Sequence, residues 1–90
     1  MTKSQIKKLI VDSDYKNKDI TIWWRYKGFA MNAKAIIKIA KWDDFQQRFY
    51  HLPNLHEKST TFSLSRLVDF IKAHDYGKTF ELDILEENND

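Results

Sequence analysis

The spacing of apolar residues at the start of the chain follows the helical period. Ile6, Leu9 and Ile10 recur at intervals of three and four behind Ser4, a residue type that caps helices well. The pattern predicts a short amphipathic helix over residues 4–12 with Ser4 as its N-cap. A polar connector follows this helix.

The period changes to two from Ile20 onward, which is the period of a strand with one buried face. The alternation predicts a strand over residues 20–26. Its inward residues are expected to be Ile20, Ile22, Trp24 and Tyr26. Its outward residues are expected to be Thr21, Trp23, Arg25 and Lys27.

The same alternation resumes after Lys27-Gly28, which favours a hairpin with a two-residue loop. Such a loop opposes Tyr26 with Phe29 and continues that pairing along both strands. It sends the apolar residues of the second strand inward. The outward residues of the second strand are then Asn32, Lys34, Ile36 and Lys38.

A long helix over residues 33–52 is the competing interpretation of this region. It is based on a helical stripe formed by Ala35, Ile39, Trp42, Phe49 and Leu52. The hairpin is favoured because Ile36-Ile-Lys-Ile39 is rich in β-branched residues and because a strand at 20–26 needs a partner.

Two further helices are predicted downstream. The first covers residues 42–51, where the apolar spacing is helical, and it ends before Pro53. Its apolar stripe is Trp42, Phe45, Phe49 and Leu52. A polar connector covers residues 53–62. Ser63 then caps the last helix, which Gly77 is placed to end.

A third strand is predicted over residues 79–85, with Phe80, Leu82 and Ile84 inward, and residues 86–90 are expected to form a frayed acidic tail. The element order is therefore α-β-β-α-α-β. The fold class is α/β of the α+β kind, a single domain over residues 1–90. We expect a two-layer sandwich in which helices cover one face of a three-stranded antiparallel sheet.

Composition limits the classes of protein that this chain could represent. It has 90 residues, 13 aromatic side chains and no cysteine, so large aromatics are expected to build a core without a disulfide or a thiolate metal site. No apolar run is long enough to span a bilayer or to resemble a signal peptide. We expect a cytoplasmic protein with no membrane role.

The net charge of +2 conceals an asymmetry between the two parts of the chain. Residues 1–42 carry ten Lys and Arg against three Asp, whereas residues 43–90 carry five against ten Asp and Glu. The basic part could attract nucleic acid or an acidic protein. Alternatively, the two parts neutralise each other across the fold.

Signatures of catalysis and cofactor binding are weak in this sequence. The two glycines, Gly28 and Gly77, form no phosphate-binding loop, and no serine or threonine lies in a nucleophile motif. His51 and His56 flank Pro53 at a spacing that matches no known zinc motif. We therefore expect no enzyme, no cofactor and no metal.

The outward face of the predicted hairpin is the main candidate binding site. It combines aromatic, aliphatic and cationic side chains, which could stack on bases and neutralise phosphates or could dock on an acidic protein groove. The candidate residues are Trp23, Arg25, Lys27, Lys34, Ile36 and Lys38. Alternatively, Trp23 is covered by the first helix or by a second copy of the chain.

One resemblance extends these expectations. The segments Ile6-Lys-Lys-Leu-Ile10, Lys16-Asn-Lys-Asp19 and Ile20-Thr-Ile22 loosely resemble the opening of small Cas9-inhibiting anti-CRISPR proteins from Gram-positive prophages. The resemblance implies a monomer or homodimer that blocks a nuclease complex in the bacterial host cytosol. Inhibitors that mimic DNA are acidic, so a mimic surface here would use Glu81, Asp83, Glu86 and Glu87.

The sequence thus supports two hypotheses about function. The first is a non-catalytic protein-binding module of phage or mobile-element type, which could inhibit a bacterial CRISPR nuclease complex by occluding a surface. The second is a small nucleic-acid-binding protein that uses the basic hairpin face around Trp23. The two hypotheses differ in the expected salt dependence of binding.

Overall fold

The computed structural model describes residues 1–26, 36–52, 60–75 and 80–87. Within these ranges lie two helices and five strands. The helices are α1 (Lys3–Asp12) and α2 (Leu64–Ala73). The strands are β1 (Ile20–Tyr26), β2 (Ile36–Asp43), β3 (Arg48–Leu52), β4 (Thr60–Phe62) and β5 (Phe80–Glu86).

The strands form one antiparallel sheet in the order β4-β3-β2-β1-β5. Both described helices pack on the same face of this sheet. The core between the layers consists of Ile6, Ile10, Ile20, Ile22, Trp24, Ala40, Phe49, Leu67, Val68 and Ile71. The α+β class and the antiparallel sheet are therefore confirmed, but the prediction of three strands is wrong.

Helix α1 begins one residue earlier than predicted because its cap is Thr2 and not Ser4. The Thr2 hydroxyl accepts a hydrogen bond from the Gln5 N–H at 3.1 Å, and the Gln5 side chain accepts one from the Thr2 N–H at 2.8 Å. This reciprocal pair satisfies two N–H groups at once. Ser4 has Lys7 three residues on, and an ammonium group cannot accept a hydrogen bond.

The predicted helix over residues 42–51 is wrong. The chain instead completes β2 at Asp43, turns over residues 44–47 and returns as β3. Trp42 and Phe49 are directly opposed across this hairpin, and their ring centroids lie 5.0 Å apart. A four-residue turn thus brings together two residues that one helical face would also bring together.

The pairing predicted for the first hairpin is also wrong. Tyr26 is opposed to Ile36, whereas the prediction opposed it to Phe29. Lys27 and Gly28 lie outside the described residues. The pairing is displaced by seven residues from the predicted one. Because seven is odd, the displacement exchanges the two faces of the second strand. Residues 36–43 are nevertheless a strand, which confirms the hairpin over the long helix.

The last helix and the last strand agree closely with expectation. Ser63 caps α2 by accepting a hydrogen bond from the Arg66 N–H at 3.3 Å, whereas Gly77 lies outside the described residues. Phe80, Leu82 and Ile84 of β5 pack against the core. The predicted connector over residues 53–62 is wrong at residues 60–62, which form β4; residues 53–59 lie outside the described part.

The acidic end of the chain is ordered further than expected. Strand β5 includes Glu86, and the Glu87 N–H donates a hydrogen bond to the Asp19 carbonyl at 2.9 Å. The Glu87 carboxylate also accepts a hydrogen bond from the Thr21 hydroxyl at 2.8 Å. Residues 88–90 lie outside the described part.

Candidate functional site

The face of the sheet that turns away from both described helices is the candidate site, and we call it the open face. The alternation of β1 creates it, since Ile22 and Trp24 point into the core while Trp23 and Arg25 point to the other side. Its other main residues follow from the register: Thr21, Ile39, Lys41, Tyr50, Glu81, Asp83 and Leu85.

Trp23 lies at the centre of the open face and is partly exposed. Its direct neighbours across the strands are Ile39 on β2 and Asp83 on β5. The Arg25 guanidinium lies 5.2 Å from the centroid of the indole ring, within the range of a cation–π contact. The open face therefore presents a large aromatic surface that its neighbours hold in place.

The cations of the open face are paired with carboxylates of the same chain. Arg25 donates through Nε to Glu81 at 2.6 Å, and its terminal nitrogen forms an ion pair with the same carboxylate. Lys41 Nζ lies 3.3 Å from Asp19 and 3.5 Å from Glu87. These pairs leave little unbalanced positive charge beside Trp23.

The pKa of Lys41 reflects this pairing. Burial of the ammonium group alone lowers the pKa, because the charged form loses water. The hydrogen bond and charge attraction from Asp19, together with those from Glu87, outweigh burial and raise the pKa above its ordinary value. Lys41 therefore carries a positive charge and links β2 to Asp19, before β1, and to Glu87, after β5.

Asp83 differs from the other acidic residues of the open face. Glu81 and Glu87 have cationic partners, but no hydrogen bond or ion pair joins the Asp83 side chain to another described residue. It lies directly across from Trp23 and is only partly exposed. A carboxylate beside an accessible indole is suited to receive a donor or a cation from a partner.

The structure brings together residues that the sequence assigned to two separate surfaces. Trp23 and Arg25, predicted for a basic face, share the open face with Glu81 and Asp83, predicted for an acidic one. The sequence predicted a ring of cations around Trp23, but the described residues do not form one. Instead, charges of both signs surround the aromatic centre.

The remaining predicted site residues lie elsewhere. Lys38 is opposed to Trp24, on the helix-covered side, because the displaced register exchanges the faces. The backbone of Ile36 is opposed to that of Tyr26. Lys27 and Lys34 lie outside the described residues. Glu86 is opposed to Ile20, and its carboxylate lies 3.9 Å from Lys18.

Sequence reasoning missed several residues of the open face, among them Ile39, Lys41 and Tyr50. Ile39 was expected to point inward and Tyr50 to lie on a helix. The signal that could have found Tyr50 is the alternation within Arg48-Phe-Tyr-His-Leu52, where Phe49 and His51 are buried and Tyr50 is partly exposed. Lys41 becomes an open-face residue once the register is displaced.

The covered side holds a cluster of aromatic rings around His51. This side chain is 6% exposed, and its ring stacks on Trp24 at 5.8 Å and contacts Phe70 edge-on at 5.0 Å. Burial, then the charges of Lys38 and His74, lower the pKa of His51 below its ordinary value. His51 is therefore a neutral core residue near pH 7 and is not placed to exchange protons with a substrate.

The described residues form neither a metal cluster nor a membrane-spanning helix. Among these residues, no three histidine, aspartate or glutamate side chains converge as metal ligands. Neither described helix, at ten residues each, has the length and apolarity to cross a bilayer.

Comparison with known proteins adds no relative. The chain matches no protein-family model, and no curated protein or solved structure matches it at a significant level.

Proposed function

We propose that this chain is a small non-catalytic protein-binding module that docks on its partner through the open face, with Trp23 as the anchor. The observation that carries the proposal is a partly exposed tryptophan on a sheet face that no described helix covers. Tryptophan is enriched among the residues that dominate binding energy in protein interfaces.

The charges around Trp23 favour a protein partner over nucleic acid. Arg25 and Lys41 already have carboxylate partners, and a phosphate backbone would have to compete with Glu81 and Glu87 for them. Lys38, which the sequence predicted beside Trp23, lies on the covered side. A protein surface with both charge signs complements this face better, because it can pair with Asp83 and with the solvent-exposed charges of the Arg25–Glu81 and Lys41–Glu87 pairs.

The finer form of the proposal is a phage or mobile-element protein that acts in the bacterial cytosol and inhibits a CRISPR nuclease complex by occluding a surface. It rests on the resemblance of residues 6–22 to anti-CRISPR proteins and on the absence of enzyme motifs in the sequence. A cleavage assay with a purified, guide-loaded nuclease tests it. Undiminished DNA cleavage at excess of this chain contradicts inhibition but leaves protein binding standing.

A matched pair of tryptophan and phenylalanine variants tests the binding face itself. Trp23→Ala removes the proposed anchor, whereas Phe45→Ala removes an aromatic ring that is 97% exposed in the β2–β3 turn, outside the strands that form the open face. Immobilised wild-type chain and Phe45→Ala are expected to retain the same bacterial protein at equal stoichiometry. Trp23→Ala is expected to lose it, since an interface anchor typically contributes about 2 kcal/mol or more.

The same experiment distinguishes the nucleic-acid alternative. Retention of the partner by Trp23→Ala at the wild-type level contradicts the proposal. Loss of all binding after nuclease treatment, together with a steep fall of affinity with salt, supports nucleic acid as the ligand.

A further inference from the structure

Strand β5 ends the sheet with a long edge, and this edge is a second candidate surface. The opposite edge is β4, which has only three residues, whereas β5 has seven. Natural sheets commonly keep edge strands short so that other chains cannot pair with them. A seven-residue edge can offer several backbone hydrogen bonds in a row.

The register shows which backbone groups of β5 point outward. The Glu87 N–H bonds to the Asp19 carbonyl, and the two residues continue the pairing in which Glu86 is opposed to Ile20. In an antiparallel ladder, hydrogen-bonded and non-bonded pairs alternate. The backbone groups of Asp83 therefore face β1, and those of Leu82 and Ile84 face away from it, where no described strand pairs with them.

Over residues 81–84, the side chains of β5 divide into an acidic side and an apolar side. Glu81 and Asp83 lie on the open face, while Leu82 and Ile84 lie on the helix side, partly exposed. The cations that pair with the carboxylates of β5 and Glu87 come from Lys18, β1 and β2, all on the inner side. A strand added outside β5 would meet carboxylates on one side and aliphatic groups on the other.

A second copy of this chain is a poor occupant of that edge. A two-fold antiparallel pairing of two β5 strands about Asp83 would oppose this carboxylate to its own copy. Like charges directly opposite each other destabilise a sheet, whereas opposite charges stabilise it.

We propose that β5 binds an extended segment of another protein in which basic and aliphatic residues alternate. The segment pairs with the outward backbone groups of Leu82 and Ile84, as in strand addition to a sheet edge. Its basic side chains lie beside Glu81 and Asp83. This surface goes beyond the open face of the proposed function, because it needs the backbone of β5 and not the Trp23 ring.

A synthetic peptide of seven residues that alternates Lys and Val, acetylated and amidated, is the probe. Binding is measured by fluorescence anisotropy and by hydrogen exchange of backbone amides in NMR. In the free chain, the Leu82 and Ile84 amides are expected to exchange faster than that of Asp83. Peptide binding is expected to protect both of them.

Two control peptides and two variants make the test specific. A peptide that is N-methylated at its Val amides cannot donate hydrogen bonds to the outward carbonyls of Leu82 and Ile84, and it is expected not to bind. A Glu/Val peptide is also expected not to bind. Asp83→Asn is expected to lower the affinity for the Lys/Val peptide by up to about fivefold, because one opposite-charge pair is lost. Trp23→Ala is expected to bind this peptide as wild type does.

Several results would overturn the proposal. Slow exchange of the Leu82 and Ile84 amides in the free chain would mean that the edge is already paired. Binding of the N-methylated peptide as tight as that of the Lys/Val peptide, or no binding of the Lys/Val peptide, would contradict strand addition. Loss of peptide binding in Trp23→Ala would assign the peptide to the open face and contradict binding at β5. The proposed function is tested separately, by retention of the protein partner, so the two can fail independently.

Discussion

Trp23 and Trp24 are adjacent in sequence but belong to different parts of the molecule. Trp24 is fully buried, packs against Phe70 with ring centroids 5.9 Å apart, and stacks on His51. Trp23 lies on the open face against Arg25 and is partly exposed. One step along a strand therefore separates a residue that holds the fold from a residue available to a partner.

The largest expected effect tests this difference directly. Trp24→Ala is expected to lower the free energy of unfolding by about 3 to 5 kcal/mol, because it leaves a cavity in a packed core. Trp23→Ala is expected to cost about 1 kcal/mol or less. Urea unfolding followed by circular dichroism measures both. Similar losses in the two variants would mean that the open face is covered.

A smaller effect is expected at the helix that covers the sheet. Ser63→Ala removes the hydroxyl that caps α2 and is expected to destabilise the fold by about 1 kcal/mol. Ser65→Ala, an exposed position inside the same helix, is the matched control and is expected to be nearly neutral. Thermal unfolding of both variants gives the comparison; an equal shift of Tm would contradict the cap.

The covered face is also expected to confer a pH dependence of stability below neutral pH. The pKa of His51 is lowered in the folded state, so the unfolded chain takes up this proton first as the pH falls. The contribution to stability is fully present above the ordinary pKa of 6.5 and is lost as the pH falls below it, until the folded pKa is reached.

Comparison of wild type with His51→Phe isolates this contribution. The free energy of unfolding of wild type is expected to decline more steeply with falling pH than that of the variant. His74 and His56 remain in both chains. Parallel declines would show that His51 does not titrate differently in the two states.

The smallest effect is expected for the ion pair of the open face. Arg25 and Glu81 are both substantially exposed, and such pairs contribute about 0.2 to 1 kcal/mol. A double-mutant cycle with Arg25→Ala and Glu81→Ala measures the coupling, which is expected to fall further in high salt. Coupling well above this range would indicate a face shielded from water.

Much of the secondary structure could be predicted because one pattern dominated each segment. The alternation in β1 is uninterrupted, and the stripe of α2 follows a strong cap at Ser63. The hairpin of β2 and β3 was missed because its turn carries no glycine or asparagine. Gln47 adopts a positive φ of 55°, which its residue type rarely signals.

The composition of the candidate site could be predicted only in part. Trp23 and Arg25 follow from the alternation of β1 alone. The cations beside them depended on the register of a hairpin, and local pattern does not determine a register when both faces of the strand contain isoleucine. Glu81 and Asp83 reach the same face through a pairing of β1 with β5, across some sixty residues of sequence.

That pairing also determines the order in which the sheet can be completed. β1 lies between β2 and β5, and β5 is the last of the five described strands to be synthesised. On the ribosome, one side of β1 must therefore wait for β5 to emerge, with the backbone groups of Thr21, Trp23 and Arg25 still unpaired. Pairing over such a long separation slows folding and leaves β1 exposed to incorrect partners. The nascent chain is therefore prone to mispairing and aggregation until β5 has been synthesised.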